Sequence, residues 1–317
     1  MRIAVMGAGA IGCYVGGRLA YAGADVTFVA RGEQLGALRS RGLTIIEPDR
    51  ATTVSDVVAT PEADEIGVVD VVLLCVKLFD SETALRACAP LLGAGSFVVT
   101  LQNGVDCVDV AAGVVGPDRV VGAAVFVVAR VVEPGVVERT GDWARIEIAE
   151  RSGDTTARCL ELAALCRSAG IGCEIRDDLD QMLWSKFVLL AATSAMTALT
   201  RQAIGYVRSD PVALDVARCC VEEALAVARA KGIDLPADAQ ARALRQLGVE
   251  MAADAKASQL TDLEQGRPLE LEHLSGAIHR LGRELGVPTP VHSTVYAALR
   301  PFRRGARDPG PEPGGRS

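Results

Sequence analysis

The chain is short of several things, and each shortage narrows what it does. Histidine is rare: His273, His279 and His292 are the only three in 317 residues, and all lie in the last sixth. A metal site built on histidine clusters is therefore not expected, nor is an enzyme whose base is a mid-chain His–Asp pair. Lysine is scarce as well, with four (Lys77, Lys186, Lys231, Lys256) against 29 arginines, so a lysine in an unusual place calls for an explanation. The nine cysteines show no C-x-x-C and no regular spacing, which reads as reduced thiols used as core filler in a cytoplasmic protein. Excess positive charge is also missing. A net charge of −7 argues against nucleic acid or an anionic membrane surface as the main partner. The longest apolar runs, such as FVLLAATSAMTAL, stop short of the ~20 residues that span a bilayer. Met1 leads straight into IAVMGAGAIG, which reads as strand and turn rather than a secretory leader.

Half of the residues are apolar, so a large core is available and wholesale disorder is excluded. The length suits two domains. Short Val- and Ile-rich runs predict strands over residues 2–6, 25–30, 69–76, 96–101 and 120–128. Helical patterns alternate with them near 11–22, 34–41, 81–92 and 105–115, the mark of a parallel sheet covered by helices on both faces. PGVVERT and ARIEIAE read as extra strands or a hairpin, followed by a helix near 155–169 and a strand at 173–176. From about Asp180 strands give way to long amphipathic helices over 182–200, 211–231, 238–253, 269–285 and 290–299. The expected organisation is an α/β domain over 1–179, an all-α domain over 180–302, and a Gly-, Pro- and Arg-rich tail over 303–317, expected to be disordered. No internal repeat is visible, and the apolar faces of the helical domain are sufficient for a homodimer.

The first strand runs into Gly7-Ala8-Gly9-Ala10-Ile11-Gly12, a G-x-G-x-x-G loop that opens a helix. Such glycines permit the tight turn and let backbone approach a pyrophosphate held at the helix N-terminus. In its strand–turn–helix setting the loop predicts a Rossmann-type dinucleotide site. Domains selective for NAD end the second strand with an acid that accepts from the ribose 2′-hydroxyl. Here that strand ends Phe28-Val29-Ala30-Arg31-Gly32, and a guanidinium suits a 2′-phosphate instead. NADP(H) is the expected cofactor; the bland alternative is one more surface arginine. Two later strand ends carry polar groups, Lys77 after Val76 and the pair Gln102-Asn103 before Gly104. Ligands of open α/β sheets lie beyond the carboxyl ends of their strands, so both face the expected crevice.

Lys186 sits near the start of an apolar helix, LWSKFVLLAATSAMTALT. Leu190, Thr193, Ser194 and Thr197 share its helical face, which is small and mildly polar. Partial burial lowers a lysine pKa, so lysine can donate a proton where arginine cannot; the plain alternative is a side chain reaching solvent. Further on, Ser258 precedes Gly266-Arg267-Pro268-Leu269-Glu270, and Glu270 is expected to open a helix after a Pro-containing turn.

With these residues the chain resembles the ketopantoate reductase (2-dehydropantoate 2-reductase) family from Met1 to about Leu299. The resemblance rests on the GAGAIG loop, Arg31, Val76-Lys77, Gln102-Asn103-Gly104, Trp184-x-Lys186, Ser258 with Glu270 twelve residues later, and Gly286-Val287-Pro288-Thr289-Pro290. It implies hydride transfer from NADPH to the ketone carbon of a 2-oxo acid, the reaction of pantothenate biosynthesis. It also implies Lys186 as proton donor, Glu270 as its positioning partner, and Asn103 and Ser258 on the substrate. Lys77 and Asn103 would meet the cofactor, and Ala129, after the fifth strand, would touch the nicotinamide side. The chain departs from the family where asparagines usually stand four and eight residues after the lysine, since Leu190 and Ser194 occupy those positions; Leu269 likewise replaces a polar residue. A pocket that loses such donors loses discrimination, so a more apolar 2-oxo acid is a compatible substrate. The competing readings are a family-related reductase acting on another carbonyl and a non-catalytic NADP(H)-binding sensor.

Overall fold

The computed structural model describes residues 1–306. The chain divides into two compact units, Met1–Met182 and the residues from Leu183 onward.

The first unit is built on strands β1 (Arg2–Met6), β2 (Asp25–Val29), β3 (Leu43–Glu47), β4 (Arg50–Val54), β5 (Val58–Thr60), β6 (Val69–Leu74), β7 (Leu92–Thr100), β8 (Val120–Glu133), β9 (Val136–Glu150) and β10 (Gly172–Arg176). They form one sheet ordered β4-β3-β9-β8-β7-β6-β1-β2-β5, with β10 added beside β9. Helices α1 (Ala10–Tyr21), α2 (Gly32–Arg41), α3 (Ser81–Ala87), α4 (Cys107–Val115) and α5 (Ala157–Ser168) connect the strands. From β5 to β8 all neighbours are parallel. This explains their unbroken apolar runs: a parallel strand is buried on both faces, and Ile3, Val5, Val71 and Val72 are wholly inaccessible. The chain turns one way from β1 to β2 and returns on the other side at β6, which places the topological switch point beside β1. α1 can lie close to this sheet because Gly16 faces it. A Cβ there would stand 2.7 Å from Val5 Cγ2 and 2.8 Å from Phe28 Cε1.

The structure corrects several sequence expectations here. The fifth strand does not stop at 128 but runs to Glu133 and turns back as β9, so PGVVERT and ARIEIAE belong to one long hairpin. The helix expected over 81–92 ends at Ala87, and a 3₁₀ turn containing Pro90 follows; proline supplies no N–H for an α-helical bond. β3, β4 and β5 were not anticipated. They are five residues or fewer and β4 is mostly exposed, so neither length nor alternation announces them.

The second unit contains α6 (Leu179–Thr200, entering from the first unit), α7 (Ile204–Ser209), α8 (Pro211–Ala230), α9 (Ala239–Arg245), α10 (Ser258–Glu264), α11 (Ser275–Leu285) and α12 (Pro290–Leu299). α6 starts three residues earlier than expected and is 22 residues long, with the length and composition of a membrane span. However, 72% of its apolar window is buried in the protein, as befits a core helix. The helix expected over 238–253 loosens into a π turn, Gln246–Glu250. The one expected over 269–285 is interrupted. Leu274 leaves helical geometry (φ −112°, ψ −103°), and only a 3₁₀ turn, Leu271–His273, precedes α11. Residues 303–306 are held rather than loose: Leu269 N–H donates to the Arg303 carbonyl, and Pro268 bridges to Arg304. The rest of the expected disordered tail lies outside the described residues.

His292 stands at the core of this unit, wholly inaccessible. Its Nε2 lies 3.1 Å from the Cys220 carbonyl and its Nδ1 lies 3.2 Å from Ser275 Oγ. A carbonyl only accepts, so Nε2 carries the proton and Nδ1 accepts from the serine. Burial pushes the imidazole down to about 4, against a weaker upward pull from the Cys220 carbonyl. The unfolded chain takes up this proton near pH 6.5, so the contribution is fully present above that pH and is lost as pH falls toward 4. The loss amounts to about 3 kcal/mol. Thermal unfolding of wild type and His292→Gln between pH 7 and 4 checks it: the wild type loses stability more steeply, and parallel curves would contradict the assignment.

Candidate active site

The glycine loop has the geometry its spacing foretold. Gly7 takes φ +104°, and a Cβ there would press against Val76 N at 2.9 Å, so the turn requires glycine. Gly12 is closed off in the same way by the Gly7 carbonyl, Val5 and Cys75. Gly9 is different: a Cβ at this position would face open space, with no atom within 4 Å. It is also the N-cap of α1, with no side-chain cap and no acid in the first turn. The first amides of α1 are therefore open to an anion. Beneath them burial pushes the Cys13 thiol up to about 12, slightly countered by its hydrogen bond from Gln34, and burial raises Cys75 likewise. Both remain neutral, so neither thiol opposes a pyrophosphate with negative charge. On these observations the residues present fit a dinucleotide. Ala8, Ala10 and Ile11 complete the loop, partly buried. Arg31 is exposed two residues beyond β2, in extended backbone (φ −135°, ψ 165°) at the N-cap of α2.

Lys77 and Asn103 emerge from neighbouring strands, β6 and β7, on the carboxyl edge of the sheet that also carries the glycine loop after β1. Both are half-buried. Their loops are tied together by Gln102, which the sequence pairs with Asn103 at the crevice: its Nε2 donates to the Val76 carbonyl and to Ser81 Oγ, each at 2.8 Å. The signal was present in QNG, but its partners lie more than twenty residues away. Ala129 differs from expectation. It lies inside β8 rather than after the strand, paired with Arg139 of β9 beyond a bulge.

In the second unit, exposure along one face of α6 falls with depth. Lys186 and Leu190 are half-buried, whereas Thr193, Ser194 and Thr197 are buried. Thr193, Thr197 and Thr200 each return a hydroxyl to the carbonyl one turn earlier. Ser194 Oγ does not, and is buried without a hydrogen-bond partner among the described residues. Glu270 is 7% exposed, ahead of a single 3₁₀ turn rather than opening the long helix expected there. Its position follows instead from Leu269, whose backbone is pinned to Arg303. Ser258 begins α10 and is exposed. Its neighbour Gln259, to which the sequence alone assigns no role, is 2% exposed and reaches the Ser194 carbonyl at 3.4 Å.

Comparison with known proteins finds relatives that match nearly the whole chain. Residues 3–153 match a family model described as ketopantoate reductase PanE/ApbA, and residues 178–303 match that of its C-terminal region. A 2-dehydropantoate 2-reductase of Mesorhizobium japonicum is 33% identical, over 95% of this chain and 97% of its own length. The crystal structure of a PanE/ApbA family ketopantoate reductase from Ralstonia eutropha matches with a TM-score of 0.88 at 34% identity, covering 96% of this chain and 98% of that one. A D-mandelate dehydrogenase solved with NADH and anilino(oxo)acetate is 21% identical with a TM-score of 0.87, covering 96% and 98% of the two chains, and shares the fold.

Proposed function

The chain belongs to the ketopantoate reductase PanE/ApbA family and is a nicotinamide-dependent oxidoreductase, and from that premise we propose that it reduces the ketone of 2-dehydropantoate, or of a closely related 2-oxo acid, to the 2-hydroxy acid. The observation that carries the reading is the glycine cradle with Arg31 just past β2. The amides at the start of α1 hold the pyrophosphate, and Arg31 pairs with the 2′-phosphate that distinguishes NADPH from NADH. Lys77 and Asn103 hold the cofactor, with Ala129 beside its nicotinamide. Bound NADPH supplies the hydride. The chain's own residues handle the rest. Lys186 donates a hydrogen bond to the ketone oxygen and then its proton as charge builds there. Glu270 orients that amine, and Asn103 and Ser258 hold the substrate. Leu190, half-buried on the lysine face, sets an apolar wall beside the reacting carbon.

Arg31→Ala tests the cofactor assignment. Losing a charge-assisted phosphate contact lowers kcat/KM for NADPH by roughly 10- to 100-fold and leaves NADH nearly unaffected. An equal fall with both cofactors would show that Arg31 acts on structure and not on the 2′-phosphate.

A further inference from the structure

Val76 is the point where three stretches assigned to the cofactor meet. Its amide nitrogen lies against the glycine loop, 2.9 Å from where a Cβ on Gly7 would stand. Just before it, the Cys75 N–H donates to the Met6 carbonyl at 2.9 Å. The carbonyl of Val76 accepts from Gln102 Nε2. Lys77 follows Val76 directly, and Asn103 follows Gln102. The same Gln102 amide also donates to Ser81 Oγ, in the first turn of α3. Lys77, extended at φ −60° and ψ 147° ahead of the 3₁₀ turn Leu78–Asp80, therefore lies in a short loop, 76–81, that one side chain holds at both ends.

The way Gln102 is used points to a purpose beyond packing. A carbonyl only accepts, so the amide NH₂ faces Val76, and its two protons serve Val76 and Ser81. Its Oε1 is left buried and without a hydrogen-bond partner among the described residues, an arrangement that folded proteins rarely keep. A methionine would fill the same space with no orphaned acceptor. What glutamine adds is the hold on the loop that carries Lys77. We propose that Gln102 is a positioning residue for the cofactor: through the Val76 carbonyl it fixes Lys77 relative to the glycine loop before NADPH arrives. This rests on the proposed reading of Lys77 as a cofactor-binding residue. A side chain already held in place loses little freedom on binding, and affinity rises accordingly.

Titration calorimetry with NADPH reads the effect without turnover. Gln102→Met is expected to weaken NADPH binding by about tenfold, the worth of one well-placed hydrogen bond. The decisive comparison is the same substitution in a Lys77→Ala background. There the loss should shrink to about twofold, because residues that act through one another are not additive. Ser81→Ala removes one anchor with a smaller change in volume, and keeps the test if Gln102→Met does not fold. It should weaken binding by about threefold, with the same dependence on Lys77. An equal loss in both backgrounds would assign Gln102 to the structure in general and overturn the inference while NADPH binding stands. Wild-type affinity in both Gln102→Met and Ser81→Ala would overturn it too. If Lys77→Ala alone binds NADPH as the wild type does, the reading of Lys77 as a cofactor residue fails, and the inference falls with it.

Discussion

Lys186→Ala is expected to lower kcat for 2-oxo acid reduction by about 10²- to 10⁴-fold, the range that a positioned general acid contributes, while the affinity for NADPH changes little. The reasoning starts from composition. A chain that spends arginine at 29 basic positions and lysine at four has placed a lysine on the half-buried face of the longest helix among the described residues. Only the ammonium group can release its proton to a forming alkoxide, because a guanidinium stays protonated throughout the accessible pH range. Lys186→Arg keeps the charge and should recover substrate binding but little of the rate. Stopped-flow reduction under saturating NADPH separates the two effects. A Lys186→Arg variant with near-native kcat would remove proton donation from the account and leave only charge.

The second large effect concerns stability. Glu47→Gln is expected to destabilise the first unit by about 3 to 5 kcal/mol, the cost of breaking a buried ion pair from one side. Glu47 is 7% exposed and accepts from Arg18 Nη1 and Arg139 Nε at 3.2 Å, from Tyr14 Oη at 3.0 Å and from Arg50 Nε at 2.9 Å. Arg18 and Arg139 are equally buried, so a neutral amide would leave two cations facing one weak acceptor. The network reaches further, since Arg18 also donates to the Ala169 carbonyl at 2.7 and 2.9 Å and so joins α1, β3, β9 and the turn before β10. Burial alone would raise the Glu47 carboxyl, but the bonds from Arg50 and Tyr14 and the charge of Arg18 together hold it below its usual value. Its stabilisation is therefore present above the usual carboxylate range and is lost as pH falls through the lowered value. Urea unfolding of the two proteins at neutral pH and at pH 4 reads both points. A midpoint for Glu47→Gln close to that of the wild type would show that the cluster is stabilised in some other way.

These two predictions also show what the sequence disclosed. β1, the glycine loop and α1 were legible almost to the residue, because strand, turn and helix are adjacent in sequence and each glycine has a local steric reason. The split into an α/β part and a helical part was legible from the change in hydrophobic period. Contacts that close across long separations were not. Nothing in the neighbourhood of Glu47 announces Arg139, 92 residues on. Gln102 reads as one of an amide pair facing the crevice until its amide meets Val76 and Ser81. Glu270 falls outside the helix expected for it because Leu269 and Pro268 pair with residues after α12, and helical periodicity is blind to such pairing.

The most direct measurement is the rate of NADPH oxidation by the purified protein with 2-dehydropantoate and a set of other 2-oxo acids. The account predicts turnover of 2-dehydropantoate or a closely related 2-oxo acid, faster with NADPH than with NADH. NADPH binding without turnover of any of these acids would contradict it.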